Sequence, residues 1–317
     1  MNKILNNPGL EAMFFPLSLD TFKQNHWPAR PAFAKRTNDH FKSLITETPL
    51  FELFNDIRTL NKVSHAPEVE VFANTKEPHA LTVTPMQAYE LFEKGLVTIR
   101  LRAVHTWITQ IDEWLLNIAT DLKSTPIREA YATVYISPSG FTGVPHFDGH
   151  EVFIAQLFGQ KEWSYCRCQA LSYPCAGYKI GDNSSSVPLK FGISSSDLPK
   201  HMPSDNRQVS LTPGCSLFLP RGYFHQTHTK EKSLHITFGL ETFNWLEIFL
   251  EHIRKHLLLE QEWRELPVGL LGERQQFACA KQIFQEKLKD IQKKVASFQD
   301  DKIIDEILLD LRDKLQK

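Results

Sequence analysis

The sequence predicts a mainly β protein with additional α-helices, in which short strands form a closed core. Several short apolar runs are separated by turn residues, as in antiparallel β proteins. Histidine and aspartate residues lie beside these runs, where their side chains would point into one mouth of a barrel. Together these observations indicate a jelly-roll or cupin barrel. After Thr242 the pattern changes to helical periodicity.

The predicted strands are short and are bounded by glycine, proline or serine. The run 132–136 alternates apolar and polar residues and is followed by the turn cluster 137–140. The other strand-like runs are 151–158, 216–219 and 233–238. Several short strands divided by turns fit a jelly-roll or cupin barrel.

The region before the barrel is mixed. It has a helical stretch near 50–60 and a β-type piece at 69–72. Within the barrel region, 106–122 is predicted to be an amphipathic helix. The apolar stripe of that last helix is interpreted as core packing and comprises Trp107, Ile111, Trp114 and Ile118. We therefore divide the chain into an N-terminal α/β extension (1–97), a barrel (98–242) and a helical region (243–317).

The helical region contains three apolar stripes. Such stripes pack on each other, on the barrel or on a partner. They comprise Leu246, Phe249, Leu250, Ile253 and Leu257; Phe284, Leu288, Ile291, Val295 and Phe298; and Ile304, Ile307, Leu308, Leu311 and Leu315.

Composition limits the possible functions. The chain has 317 residues and a formal net charge of -1, so general nucleic-acid binding is not expected. The N-terminus lacks the pattern of a signal peptide, and no apolar run reaches membrane-spanning length. An odd number of cysteines favours reduced thiols, and we expect a cytoplasmic protein. Cys166, Cys168 and Cys175 could in principle join His201 in a zinc site, but their spacing fits no common zinc knuckle.

The motif with the clearest chemistry is His146-Phe147-Asp148, followed by His225 in the run Leu219-Pro-Arg-Gly-Tyr-Phe-His225. Residues i and i+2 of a strand share a face, so His146 and Asp148 would project together while Phe147 faces away. Two imidazoles and one carboxylate can hold one face of a metal ion and leave the other open. The pattern predicts a non-haem iron oxygenase, although H-x-D alone occurs by chance in many chains.

Longer stretches around these residues resemble one family. Residues 135–163, 220–226 and 233–237 are similar to the two signatures of the JmjC-type (cupin-4) ribosomal oxygenases, in the same order. The resemblance implies a double-stranded β-helix core and an iron(II)- and 2-oxoglutarate-dependent hydroxylase. Its best-known members oxidise side chains of ribosomal proteins.

The resemblance also assigns residues. It implies that His146, Asp148 and His225 bind iron(II) and that Lys161 binds the far carboxylate of 2-oxoglutarate, as a buried cation would. Tyr135 matches a tyrosine near the same carboxylate. Three further histidines are alternative ligands, but we interpret them as surrounding or surface groups because imidazole ligands need oriented partners: His150, His228 and His235.

The sequence departs from the family at three places. Thr133, which we expect to bind the co-substrate together with Lys161 and Tyr135, stands where some relatives have asparagine, and Gly239 stands where some have serine. The interval from Asp148 to His225 is longer than in the family, with the excess in 169–207, which reads as a long surface loop. Two interpretations of this segment stay open, a tolerated solvent loop and a substrate-specificity element.

The expected function is hydroxylation of a side chain of a protein, with ribosomal proteins as the leading candidates. The alternatives are an oxygenase for a peptide or small metabolite, and a non-enzymatic metal-binding cupin. N-demethylation uses the same chemistry and stays open. The resemblance further implies a homodimer formed through the C-terminal helices, while the winged-helix domain of the relatives has little support in this chain.

Overall fold

The computed structural model describes residues 8–36, 41–73, 80–181 and 187–297, together with 304–305, 308–309 and 312. Its contacts divide the chain into two compact units, Met1–Thr242 and Phe243–Lys317. The first unit contains the β-sheets, and the second is helical where it is described. The three-part division of the sequence stays a prediction, and its boundary at residue 97 falls at the first residue of a strand.

The strands of the first unit form two antiparallel sheets. They are β1 (Ala32–Ala34), β2 (Val69–Ala73), β3 (Ala80–Val83), β4 (Val97–Leu101), β5 (Ile127–Ser137), β6 (His146–Phe147), β7 (Glu151–Phe158), β8 (Lys161–Arg167), β9 (Tyr178–Lys179), β10 (Arg207–Leu211), β11 (Ser216–Leu219), β12 (Tyr223–Thr229) and β13 (Ser233–Thr242). The larger sheet has the order β1-β11-β7-β13-β5-β4-β2-β3, and the smaller has the order β10-β8-β12-β6-β9. The two sheets confirm the predicted mainly β fold with a jelly-roll core.

The helices of the first unit are short. They are α1 (Leu10–Phe14), α2 (Leu19–Asn25), α3 (Lys42–Thr46), α4 (Leu50–Asn55), α5 (Pro85–Glu93), α6 (Thr109–Asp121) and α7 (Val187–Phe191). The predicted helix near 50–60 is interrupted, because α4 ends at Asn55 and a separate 3-10 helix covers Ile57–Lys62. The side chain of Asp56 caps that 3-10 helix by accepting a hydrogen bond from the Arg58 amide.

The apolar stripe of α6 faces the core, as its periodicity predicts. Ile111, Trp114 and Ile118 are buried in the cluster that joins the N-terminal helices to the larger sheet, and Trp107 is partly buried against the same cluster. Strand β7 is buried along almost its whole length, which explains why all its residues except Glu151 and Gln156 are apolar. The core therefore lies mainly against the larger sheet.

The second unit contains α8 (Trp245–Leu257), α9 (Gln261–Arg264) and α10 (Arg274–Ser297). Asn244 and Glu247 form a capping box at the start of α8, which explains where this helix begins. The first two predicted stripes fall mainly on α8 and α10. Phe298 and most of the third stripe lie outside the described residues. No described helix is both long enough and apolar enough to cross a membrane.

Candidate metal centre and its cavity

Three side chains that suit a metal ion converge at one end of the smaller sheet. One ligand atom from each of His146, Asp148 and His225, here called the triad, lies within 4.8 Å of the others. His146 on β6 is directly opposite His225 on β12, and the two ring centroids are 4.2 Å apart. Asp148 directly follows β6, and its Oδ2 lies 3.7 Å from Nε2 of His225. Within the described ranges, no other group of three or more such side chains has this geometry.

Backbone carbonyl groups orient both imidazoles of the triad. Nδ1 of His146 lies 2.8 Å from the Val144 carbonyl oxygen, and Nδ1 of His225 lies 3.0 Å from that of Tyr223. A carbonyl oxygen only accepts hydrogen bonds, so each Nδ1 is the protonated donor. Each Nε2 then has a free lone pair, which is the arrangement a metal-binding histidine requires.

The charges of the triad also suit a cation. Burial, and secondarily His146, lower the pKa of His225 to about 4, so its ring is neutral near neutral pH. Burial raises the pKa of Asp148, but His146 and His225 outweigh this effect and hold the pKa below its ordinary value. Metal ligands must be deprotonated, and these two groups already are.

The residue between the two ligands of the motif faces away, as the strand alternation predicts. Phe147 is 1% exposed and packs edge-on against Phe224, the residue before His225, with ring centroids 5.0 Å apart. The residues that flank the ligands on both strands thus form an apolar layer on the outer side of the smaller sheet.

The segment 169–207 covers that apolar layer, and its interpretation as a long surface loop was wrong for the part that the structure describes. Val187 and Leu198 are buried in one cluster with Phe147 and Phe224. The segment also supplies β9, which pairs with β6 so that Lys179 is opposite His146. The serine-rich run 182–186 lies outside the described residues. The described part of the segment therefore supports the triad from behind.

A cavity of about 420 Å³ opens in front of the triad, between the two sheets. Strand β5 contributes every second residue to its wall, as the two-residue period of a strand requires. These residues are Tyr131, Thr133, Tyr135 and Ser137. The cavity is of the size that small-molecule sites usually have.

Lys161 lies deep in this cavity and is 3% exposed. Its Nζ donates to Oγ of Ser137 at 2.8 Å and lies 3.3 Å from Nδ1 of His235. Both partners are neutral, and burial lowers the pKa of Lys161 to about 7. No described carboxylate pairs with this ammonium group, so the position suits an anionic ligand.

The two remaining predicted residues line the same cavity. The ring of Tyr135 stacks on His235, with centroids 5.0 Å apart and planes 10° apart. Burial raises the pKa of the Tyr135 hydroxyl, although Arg100 acts in the opposite direction. Thr133 is 5% exposed and lies two residues before Tyr135 on the same face. All six residues selected from the sequence therefore meet at one cavity.

The structure adds residues that the sequence reasoning did not select. Ser137 and His235 contact Lys161 directly, and Arg100 on β4 also lines the cavity. The two-residue period that begins at Tyr135 would have indicated Ser137. The role of His235 depends on its pairing opposite Tyr135, which is a register between distant strands.

The other weighed histidines are placed as expected. His228 is outside the cavity wall and pairs with Oγ1 of Thr142 at 2.9 Å. His150 lines the cavity, but its Nε2 is 2.6 Å from the hydroxyl of Tyr131. Cys166, Cys168 and Cys175 are free thiols, and the zinc alternative finds no ligand cluster among the described residues.

Two antiparallel sheets that hold a triad of two histidines and one aspartate at the mouth of a cavity define a jelly-roll protein with a facial-triad metal site. The family model of the JmjC domain matches residues 103–248, which include all three residues of the triad. The chain therefore contains a match to the JmjC domain and is similar to the JmjC ribosomal oxygenases, as its motifs indicated.

Two relatives illustrate the similarity. The uncharacterized protein YxbC of Bacillus subtilis is 28% identical over 267 residues, which cover 82% of this chain and 79% of that protein. Ribosomal oxygenase 1 of Gallus gallus is 25% identical over 268 residues, which cover 81% of this chain. The match spans 41% of the length of the chicken protein.

A solved structure supports the fold. YcfD, a ribosomal oxygenase from Escherichia coli in complex with cobalt and 2-oxoglutarate, aligns with a TM-score of 0.53 at 15% identity. The alignment covers 93% of this chain and 71% of the YcfD chain. The two proteins therefore share the same fold.

Proposed function

We propose that this protein is an iron(II)- and 2-oxoglutarate-dependent oxygenase that hydroxylates a side chain of a protein substrate. The main support is the buried Lys161 ammonium group, which shares one cavity with the triad and has only neutral partners. A metal-binding module without co-substrate has no need for such a cation. The relative YcfD was crystallised with cobalt and 2-oxoglutarate, which agrees with the same pair of ligands here.

The donor set fits iron(II). His146 and His225 would bind through Nε2, because each Nδ1 is engaged by a carbonyl oxygen, and Asp148 would bind through a carboxylate oxygen. Iron(II) and 2-oxoglutarate, when both are bound, would direct the reaction of molecular oxygen, which is the oxidant: one oxygen atom would enter the substrate and the other would convert 2-oxoglutarate to succinate and CO2. The triad leaves the cavity side open for the co-substrate and oxygen.

The remaining residues position the co-substrate and exclude water. Lys161 would bind the far carboxylate, with Ser137 and His235 holding the ammonium group in place. Tyr135 lies on the same wall and would donate a hydrogen bond from its hydroxyl group, which burial keeps protonated. Thr133 lies further along β5, and we assign it to the same ligand-binding wall.

Anaerobic titration with iron(II) and 2-oxoglutarate tests this function. Bidentate chelation of the metal by the 2-oxo acid produces a visible charge-transfer band, which we expect in the wild-type protein. Lys161→Ala should weaken the band at a given co-substrate concentration, while the exposed Lys200→Ala serves as a control. His225→Ala should abolish it. Bound iron without any band would instead indicate a cupin that binds metal but not 2-oxoglutarate.

The substrate is proposed from the relatives. Several are named ribosomal oxygenases, so ribosomal proteins are the leading candidates. Mass spectrometry of ribosomal proteins from cells with and without the gene tests this: a residue that lacks one oxygen atom in its absence supports it. Unchanged ribosomal proteins would favour a different protein, a peptide or a small metabolite.

We further propose a homodimer formed by the C-terminal helices. Trp245, Leu246 and Phe249 on α8 are exposed, and so are Phe284 and Leu288 on α10. Exposed apolar residues at this density are typical of an interface. Free cysteines suit a reducing compartment, and we propose the cytoplasm. Light scattering of wild type and Phe249→Glu would test the dimer.

A further inference from the structure

The wall of the cavity beside the triad contains a polar pair that the proposed function does not use. The hydroxyl oxygen of Tyr131 lies 2.6 Å from Nε2 of His150, and the two rings meet edge to face with centroids 5.5 Å apart. Both residues line the cavity. His150 is two residues after Asp148, so the pair is attached directly to the ligand motif.

The ring of Tyr131 occupies space that a neighbouring side chain would otherwise fill. Tyr131 on β5 is opposite Gly239 on β13. A Cβ atom at Gly239 would lie 2.5 to 2.8 Å from three atoms of the Tyr131 side chain. Real Cβ atoms essentially never come that close to other atoms. This wall therefore has room for the Tyr131 ring or for a side chain at position 239, but not for both.

The conformation of Gly239 supports this explanation. Gly239 is inside a strand, and it is not among the residues with a positive φ. Other residues can therefore adopt its backbone conformation, and only the space taken by Tyr131 requires glycine. Tyr131 and Gly239 are thus complementary in size in this wall.

We propose that Tyr131, held in place by His150, is the specificity-determining residue of the cavity and restricts access to the metal centre to slender side chains. Its ring lines the same cavity as Asp148, and the hydrogen bond with His150 restrains the ring. Side chains with ring systems larger than imidazole, such as those of tyrosine and tryptophan, are excluded. This inference rests on the proposed function, because it assumes that a substrate reaches the metal through this cavity.

Spectroscopic titration of the cobalt(II)-substituted full-length protein tests the proposal without any substrate. The probes are imidazole and 4-phenylimidazole, which bind cobalt(II) through the same nitrogen and differ in bulk. Tyr131→Ala should increase affinity for 4-phenylimidazole relative to imidazole by about tenfold, on the scale of a pocket contact. Tyr131→Phe keeps the ring and should change this ratio much less. Tyr131→Val, a second variant of intermediate size, should fall between wild type and Tyr131→Ala.

Stability measurements test the reciprocal packing. Gly239→Ser should lower the denaturation midpoint in the wild-type background and have little effect in the Tyr131→Ala background. An equal affinity ratio of the two probes in wild type, Tyr131→Ala and Tyr131→Val, with normal cobalt spectra, would overturn this inference and leave the proposed function standing. A wild-type protein that binds no cobalt through the triad would overturn the proposed function and this inference with it.

Discussion

Glu151 and Arg221 form a buried ion pair that connects the two chain segments of the triad. Oε1 of Glu151 lies 3.3 Å from Nε of Arg221, and the two side chains are 3% and 15% exposed. Glu151 is three residues after Asp148, and Arg221 is four residues before His225. The adjacent Gly222 amide donates to the Asp148 carbonyl oxygen at 2.9 Å. The ion pair and this hydrogen bond together set the separation of the two segments.

Arg221→Leu should destabilise the protein and do so more strongly at higher pH. Loss of the guanidinium group leaves a buried carboxylate without its cation, which costs about 3 kcal/mol. Burial raises the pKa of Glu151 from 4.5 to about 7 even though Arg221 opposes this. Because the folded-state pKa lies above the unfolded value, stability falls as pH rises from about 4.5 to about 7. In the variant the pKa of Glu151 rises further. Urea unfolding should therefore show a larger loss of unfolding free energy, relative to wild type, at about pH 8 than at about pH 6.

The double variant Glu151→Leu/Arg221→Leu is the matched control. It removes both charges, so its stability should exceed that of Arg221→Leu and lose the added dependence on pH. Cobalt affinity should fall about tenfold or more in Arg221→Leu, because groups around a metal site orient its ligands. An equal loss of stability at both pH values would contradict the role assigned to the Glu151 carboxylate.

Binding of 2-oxoglutarate should take up a proton above neutral pH. Burial holds the pKa of Lys161 near 7, so in the free protein most of these amines are neutral at about pH 8. A bound carboxylate favours the ammonium form, so binding at that pH should take up close to ~1 proton and weaken as pH rises further. Calorimetry in two buffers of different ionisation enthalpy measures this uptake.

Lys161→Met provides the comparison for this measurement. It keeps an unbranched side chain of similar length but cannot be protonated. Residual binding to the variant should show no uptake from this site. Uptake of the same size in Lys161→Met would assign the proton to another group.

Part of this site is predictable because it depends on local sequence. The two-residue period places His146 and Asp148 together, and the apolar run of β7 is visible in its residues alone. By contrast, the neutral partner His235 becomes apparent only from the pairing of β13 with β5. Strand register between distant segments leaves no periodic signal in one sequence.

The sequence does not reveal the buried residues of the segment 169–207, for a related reason. Its buried residues Val187 and Leu198 lie in short stretches rich in serine, proline and lysine, so no helical or strand period reveals that they share a core. The serine, glycine and proline residues of the segment therefore predict a surface loop. Only the partner surface, formed by Phe147 and Phe224, shows why these two side chains are buried.

Leu198→Ala should therefore destabilise the protein by about 2 to 4 kcal/mol, since it leaves a cavity behind β6 and β12. Lys200→Ala, two residues away and exposed, should stay within about 0.5 kcal/mol of wild type. Urea unfolding of both variants measures the difference. Two equal and negligible effects would restore the interpretation of the segment as a solvent loop.

The turn between β7 and β8 controls the position of Lys161, the first residue of β8. Comparing substitutions at two glycines separates the effect of backbone strain from the effect of steric overlap. Gly159 and Gly140 both have positive φ values, of 65° and 80°, so alanine costs about 1 to 2 kcal/mol of backbone strain at either position. A Cβ at Gly140 meets nothing within 4 Å, whereas one at Gly159 overlaps the Lys232 carbonyl oxygen. Because backbone atoms cannot move aside as a flexible side chain does, Gly159→Ala should lose about 2 kcal/mol more than Gly140→Ala. Gly159→Ala should also displace the start of β8 and weaken 2-oxoglutarate binding in the charge-transfer titration. Equal stability and equal binding in Gly159→Ala and Gly140→Ala would show that the turn does not position Lys161.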